Sequence, residues 1–411
     1  MIAIQCRWMF SLAGGVPRAT PGLLTLAQWD GGWRVVAVGR NESTGSPHDL
    51  GDFAILPPLT NAHCHLEFSD LTEPLGEPGM SLPAWIKEVV RHRRAADTEG
   101  QRRASYLAGL AESRRAGVAT VGDITTLPWS PDWISRQDAS ACPGVAMLEL
   151  LSLDVARVDD LIQTASRHLS NATPWRAGLS PHAPYSTTPE LVDRACQLCR
   201  ETGAPLAMHL AESREELELL ASGGGAFREL LESFGVWRER VFDQPRGSID
   251  VLQQLARAPC TLVVHGNYLG HGEIELLSQH RDRMTVVYCP RTHAFFRHDE
   301  HPLPSLLAAG VPVALGTDSR ASNPDLSVWN ELRCAAERHP SVSPAELFRM
   351  VTTTPALALG FAPMDLLGCP IESLVAAPIG AGGDPWESLV EIPNVAPLLH
   401  FWQPPDSRGE L

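Results

Sequence analysis

From residue 55 onward the sequence settles into one rhythm, in which short apolar, β-rich runs alternate with amphipathic helical segments. The runs cover residues 55–62, 118–124, 145–151, 176–180, 205–210, 261–265, 284–288 and 311–316, and helical segments such as 82–94, 101–116, 303–309 and 344–352 fall between or after them. Strands that are apolar almost throughout, with helices between them, belong to a parallel sheet covered on both faces. Eight such units over roughly 300 residues predict an α/β fold of the (β/α)8 TIM barrel type. Gly-bearing loops at 221–226 and 235–246 predict an insertion after the fifth strand.

The flanking segments read differently. Residues 1–56 hold short apolar runs at 2–4, 23–27, 33–38 and 53–56, separated by Gly-Gly, Asn-Glu-Ser and Ser-Pro breaks. Gly31-Gly32 between two runs predicts a tight hairpin. Beyond residue 361 the runs 372–377, 386–392 and 396–402 read as short strands returning to the N-terminal ones. Together the two segments, 1–56 with 361–411, are expected to form a small β-sandwich-like domain beside the barrel domain, 57–360. Residues 404–411 read as a loose tail.

Composition narrows the function. Of 411 residues, 44% are hydrophobic and 20% charged, the balance of a globular protein. A formal charge of −15 disfavours nucleic acid or an anionic membrane as partner. No run of ~18 apolar residues is available to span a bilayer. The apolar N-terminal run contains Arg7 and no basic leader precedes it, which argues against a signal peptide. Nine scattered cysteines, an odd count, read as reduced thiols of a cytoplasmic protein. Cys196 and Cys199 form a C-x-x-C within a helical segment with no second pair nearby, so helix packing is expected of them. The partner implied is a small molecule, and an appended β unit is compatible with a homodimer.

Barrel enzymes place their chemistry at the carboxyl ends of the strands. Here those ends read His63-Cys64-His65, Ser180-Pro181-His182, His209-Leu210-Ala211-Glu212, His265-Gly266-Asn267 and Gly316-Thr317-Asp318. Alternate side chains on a strand share a face, so His63 and His65 converge while Cys64 points away and packs behind the strand. Imidazoles and a carboxylate suit Zn²⁺ or a similar divalent ion that activates water. Glu212, three residues past His209, is placed to move protons without ligating metal.

NAHCHLE, PHAPYS, HLAES, VHGNYL and LGTDS, in this order between about residues 52 and 325, together resemble the amidohydrolase superfamily. Within it the chain is similar to the mononuclear-metal deaminases and hydrolases: aminodeoxyfutalosine, S-adenosylhomocysteine, guanine and cytosine deaminases and the s-triazine hydrolases. The resemblance implies one divalent ion per subunit, Zn²⁺ with Fe²⁺ or Mn²⁺ as alternatives, held by His63, His65, His209 and Asp318. It implies Glu212 as proton shuttle, His265 and Asp318 as catalytic groups, and His182 as a substrate contact. Binuclear members bridge two metals through a carbamylated lysine, usually on the fourth strand. Lys87 is the only lysine and lies in a helical segment, so a mononuclear centre is expected. The implied reaction is hydrolytic deamination of an aminated heterocycle, with an aminodeoxyfutalosine-like nucleoside as leading substrate. NAHCHLEFSDL followed by PAWIKEVVRHRR points to that branch. Dechlorination of a triazine, cyclic amide hydrolysis and a non-catalytic scaffold are the competing readings. Glu67, close after the histidine pair, is a candidate contact for a ribose or polar substituent. Arg291 and His293, in the CPRTHAFFRHDEHP loop after the seventh strand, are candidate substrate-wall residues, although many relatives carry Ser-Asn where this chain has Thr292-His293.

Overall fold

A computed structural model describes residues 1–404 apart from 30, 31, 96, 97, 172, 173 and 381. Among the described residues, fifteen strands fall into two sheets. The first contains β1 (Ile2–Ser11), β2 (Arg18–Trp29), β3 (Gly32–Val38), β4 (His48–Asp49), β5 (Phe53–Leu56), β14 (Val375–Pro378) and β15 (Ala396–Pro397). Its order is β15-β14-β5-β1-β2-β3, with β4 also on β1. The N- and C-terminal segments therefore meet in one sheet, at the antiparallel pairing of β5 with β14. β2 and β3 pair as an antiparallel hairpin up to Trp29 and Gly32; Gly31 lies outside the described residues, as does most of the expected tail.

Alternation divides this sheet's two faces. Ile55 and Ala376 join Ile4, Met9, Leu24 and Leu26 in a small separate core. Ala54, Leu56, Val375 and Ala377 turn the other way and join the main core of the barrel helices. The β3 edge curls round to a bridge between Arg34 and Pro370. Of the expected run 396–402 only Ala396–Pro397 is strand, Leu398–His400 forming a 3-10 turn, and a further expected strand is not there. Residues 386–392 fall largely in a helix, Pro385–Glu391. Asp384 caps it, its carboxylate accepting from the amides of Trp386 and Glu387, and Pro385 occupies the first turn. That start signal outweighs the β-like composition of the run.

The second sheet is parallel and runs in sequence order: β6 (Leu59–Cys64), β7 (Val118–Thr125), β8 (Gly144–Leu150), β9 (Arg176–Pro181), β10 (Leu206–Leu210), β11 (Thr261–His265), β12 (Met284–Tyr288) and β13 (Val313–Leu315). It is the (β/α)8 barrel. The first expected strand, 55–62, divides in two. Pro57-Pro58 lacks the donors a ladder needs, so the chain leaves the small sheet at Leu56 and enters the barrel at Leu59. The barrel closes between β13 and β6: the Asp318 amide donates to the His63 carbonyl at 3.1 Å, Asn61 Nδ2 donates to the Thr317 hydroxyl, and the Thr317 backbone amide donates to Asn61 Oδ1. Gly316 permits this approach, since a Cβ there would sit 2.8 Å from His63 Cβ. Ala62, Ile124, Met147, Ala207, Val264 and Val287, from six different strands, fill the lumen below the site. Two helices, Arg214–Ser222 and Gly225–Ser233, form the insertion after β10.

Candidate active site

Three imidazoles meet at the carboxyl end of the lumen. Ligand atoms of His63, His65 and His209 all lie within 4.8 Å of one another, and all three residues are buried. Asp318 Oδ1 stands 3.7 Å from His63 Nε2 and 3.5 Å from His65 Nε2. The β6–β7 register shifts between Asn61 and Cys64, and His63 in β6 and His65 just past it both turn inward. Cys64 points the opposite way, its thiol against the Gly122 carbonyl and Asp123. His209 has its Nδ1 on the His182 carbonyl at 2.9 Å, which fixes the tautomer and leaves Nε2 for a ligand.

The residues fit a divalent cation. His63 Nε2 is fully buried and has no hydrogen-bond partner, a costly arrangement unless something binds there. Burial pushes the His65 and His209 pKa values well below the ordinary imidazole value, so both are neutral and able to ligate. Burial alone would raise Asp318, but the surrounding histidines hold it below the usual carboxylate range. Its Oδ1 accepts from the Ser319 amide and its Oδ2 from the Ser322 hydroxyl, which orient the carboxylate. Lys87 is exposed on the helix Leu82–Ala95.

Glu212 is buried beside the cluster, its Oε1 3.5 Å from His265 Nε2. Burial, and then the charges of Asp318 and Glu216, push its pKa well up. A raised pKa suits a carboxyl group that takes up a proton and passes it on. Two backbone positions bring these groups in. Ala211 and His265 adopt φ of 53° and 70°, left-handed conformations rare for residues other than glycine. Glu216 braces the first turn: its carboxylate accepts from the Ala211 and Glu212 amides, both at 2.9 Å. Neither backbone inversion, nor the role of Glu216, shows in the spacing of the sequence.

The cluster opens into a cavity of about 460 Å³. His65, His182, His209, Glu212, His265 and Asp318 line its floor. Trp85, Ile86, Val89 and Val90 of the Leu82–Ala95 helix, with Leu230, Leu231 and Phe234 of the insertion, form apolar walls. His182 is thus at the site, with Nδ1 2.6 Å from the Ser186 hydroxyl. Three expected contacts are placed otherwise. Glu67 does not line this cavity; it pairs with Arg93 and accepts from Thr126. Arg291 forms a two-pronged pair with Asp325, at 2.7 and 3.0 Å, outside the cavity. His293 is buried among Tyr288, His298 and His301. The loop after β12 forms the helix Pro290–Phe296, which packs behind the site and does not wall it. Conversely, Arg93 and Glu149 line the cavity and were not singled out from the sequence. Arg93 lies between Glu67 and Glu149 and over the Phe68 ring. Its signal was available: Trp85, Val89 and Arg93 recur at four-residue spacing on one helix face.

A (β/α)8 barrel with three imidazoles and an aspartate converging at its carboxyl end, and a buried glutamate alongside, defines a metal-dependent hydrolase. Known proteins place it further. Residues 54–364 match the model of the Amidohydrolase family. An aminodeoxyfutalosine deaminase of Deinococcus radiodurans is 32% identical over 323 residues, 72% of this chain and 71% of that protein. A 5-methylthioadenosine/S-adenosylhomocysteine deaminase of Halobacterium salinarum is 28% identical over 80% of this chain and 73% of its own length. The crystal structure of Helicobacter pylori aminofutalosine deaminase in complex with methylthio-coformycin superposes with a TM-score of 0.75 at 19% identity, covering 96% of this chain and 97% of that one. An adenosine deaminase from Xanthomonas campestris with bound zinc gives a TM-score of 0.71 at 20% identity, over 96% and 89% of the two chains. The chain belongs to the amidohydrolase family.

Proposed function

We propose that this protein catalyses the hydrolytic deamination of an aminopurine nucleoside-type substrate, with an aminodeoxyfutalosine-like compound as the leading candidate. The observation that carries the reading is Glu212: a buried carboxyl group with a raised pKa, 3.5 Å from His265 and beside the three-imidazole cluster. The names of the similar deaminases support the substrate class, and a cavity with mostly apolar walls suits an aromatic base with an extended substituent. His63, His65, His209 and Asp318 would hold the metal, which we take to be one Zn²⁺. A bound zinc ion lowers the pKa of coordinated water from ~16 towards ~7. Glu212 accepts one water proton and delivers it to the ring nitrogen next to the amino-bearing carbon. The water oxygen bonds to that carbon. Asp318, with His265 beside it, takes the second proton and passes it to the amino group, which leaves as ammonia. His182 is positioned to contact the substrate from the floor.

We further read the chain as two domains, 57–360 and 1–56 with 361–411, on the support of its two sheets. Among the described residues no helix is long and apolar enough to cross a membrane. Nine unpaired cysteines support a cytoplasmic setting, and a formal charge of −15 disfavours a nucleic-acid partner and supports a small-molecule one. A homodimer is the proposed assembly, to be read by light scattering. The deciding experiment pairs metal analysis of the purified protein with ammonia release from aminodeoxyfutalosine, 5-methylthioadenosine, S-adenosylhomocysteine, adenosine, guanine and cytosine. Chloride release from a chlorotriazine with no ammonia from any of these would replace this reading with the dechlorinating one.

A further inference from the structure

We infer that His301 is a positioning residue for His265, holding it from behind through a hydrogen bond to its backbone carbonyl. Its kinetic test rests on the deaminase reading above; its structural test does not. His265 ends β11 with φ +70°, and Gly266 follows at φ +62°. A left-handed conformation at a residue with a bulky side chain persists only where the surroundings hold it. Strand alternation alone would direct His265 away from the lumen, since Leu262 and Val264 occupy the inward positions. The inverted backbone is therefore what brings its imidazole to Glu212.

His301 Nε2 lies 3.0 Å from the His265 carbonyl oxygen, and both residues are buried. A carbonyl only accepts, so Nε2 of His301 carries the hydrogen. Burial keeps the ring neutral, and its Nδ1 has no partner. The donating tautomer is thereby set by the one bond the ring makes. The ring itself is clamped by stacking on Tyr288 at the end of β12, with centroids 3.8 Å apart and planes 21° apart. The segment after β12 thus delivers a fixed donor to the His265 carbonyl, next to the Gly266 amide that donates to the Leu210 carbonyl at 3.0 Å. Its part in the chemistry is behind the catalytic side chain, not at the substrate.

The test compares His301→Phe, which keeps a ring to stack on Tyr288 and removes the donor, with His301→Gln and His301→Asn. The glutamine amide reaches the Nε2 position; the shorter asparagine amide does not. The Phe and Asn variants should lose roughly 10- to 100-fold in kcat with KM changed less than about twofold, and Gln should recover most of the loss. Zinc content should be unchanged in all three. If His301→Phe does not fold, the Gln–Asn pair carries the comparison. Crystal structures of the zinc-loaded variants should show the His265 ring displaced from Glu212 in Asn or Phe and retained in Gln. Wild-type kcat in Phe or Asn, equal loss in Gln and Asn, or an unmoved His265 would overturn the inference. Should the wild type deaminate nothing in the panel, the functional reading fails, and the position of His265 in the variants still decides the role of His301.

Discussion

At the scale of single residues, two carboxyl groups four positions apart have separate tasks. Glu212 faces the cavity, whereas Glu216 turns back and accepts the two amides that shape the Ala211–Glu212 turn. On the proposed mechanism, Glu212→Gln keeps the volume and removes the proton transfer. We expect kcat to fall on the order of 10²- to 10⁴-fold with the zinc content intact, measured by ammonia release and metal analysis. Glu216→Ala should act differently. It strands two buried amides, at a cost of about 1–3 kcal/mol each, so thermal unfolding should come earlier and kcat should fall with it. His209→Ala should yield protein with little bound zinc, since it removes a proposed strand-end ligand whose tautomer is already fixed. The gathering of Glu212, the imidazoles and Asp318 was legible because their strand ends share one end of the barrel. Glu216 was not, because a buried glutamate bracing a turn looks in sequence like an ordinary first-turn helix acid.

Elements carry the site through their ends. β6 must bulge, β13 must approach β6 closely, and β11 must invert its last residue before the imidazoles and carboxylates meet. Gly316 tests the second requirement. A methyl group there would sit 2.8 Å from His63 Cβ and 2.9 Å from the His63 carbonyl oxygen. Gly316→Ala should destabilise the protein by roughly 1–3 kcal/mol and weaken zinc retention, read by thermal unfolding and by zinc competition with a chelator. The C-terminal helix offers a control remote from the chemistry. Asp384→Ala removes a cap that accepts two amides and should cost about 0.5–2 kcal/mol with kcat unchanged. The same helix shows the limit of reading composition alone. Trp386, Leu389, Val390 and Ile392 suit a strand, yet Asp-Pro at the start of the run sets a helix.

Over the whole molecule, the proposed metal site would tie folding to its ion. An ion that binds only the native state stabilises it by about 2.7 kcal/mol at a hundredfold excess over its Kd. Removing zinc with a chelator should therefore lower the melting temperature, and restoring zinc should recover it, with the shift lost in His209→Ala. The sequence by itself determined the eightfold strand–helix order, and with it the barrel, because apolar strands and amphipathic helices leave few ways to bury both faces of a parallel sheet. It also determined the identity of the residues at the strand ends, since the barrel brings those ends to one face. The tertiary structure alone decided which charged residues beyond them reach the cavity. Glu67, Arg291 and His293 stand close to strand ends in the chain but are drawn into pairs and packing with Arg93, Asp325 and the Tyr288 cluster. Arg93 arrives instead from a helix, and His265 by an inverted backbone. Such outcomes depend on which partner lies nearest in space and on local backbone handedness, neither of which is fixed by separation along the chain.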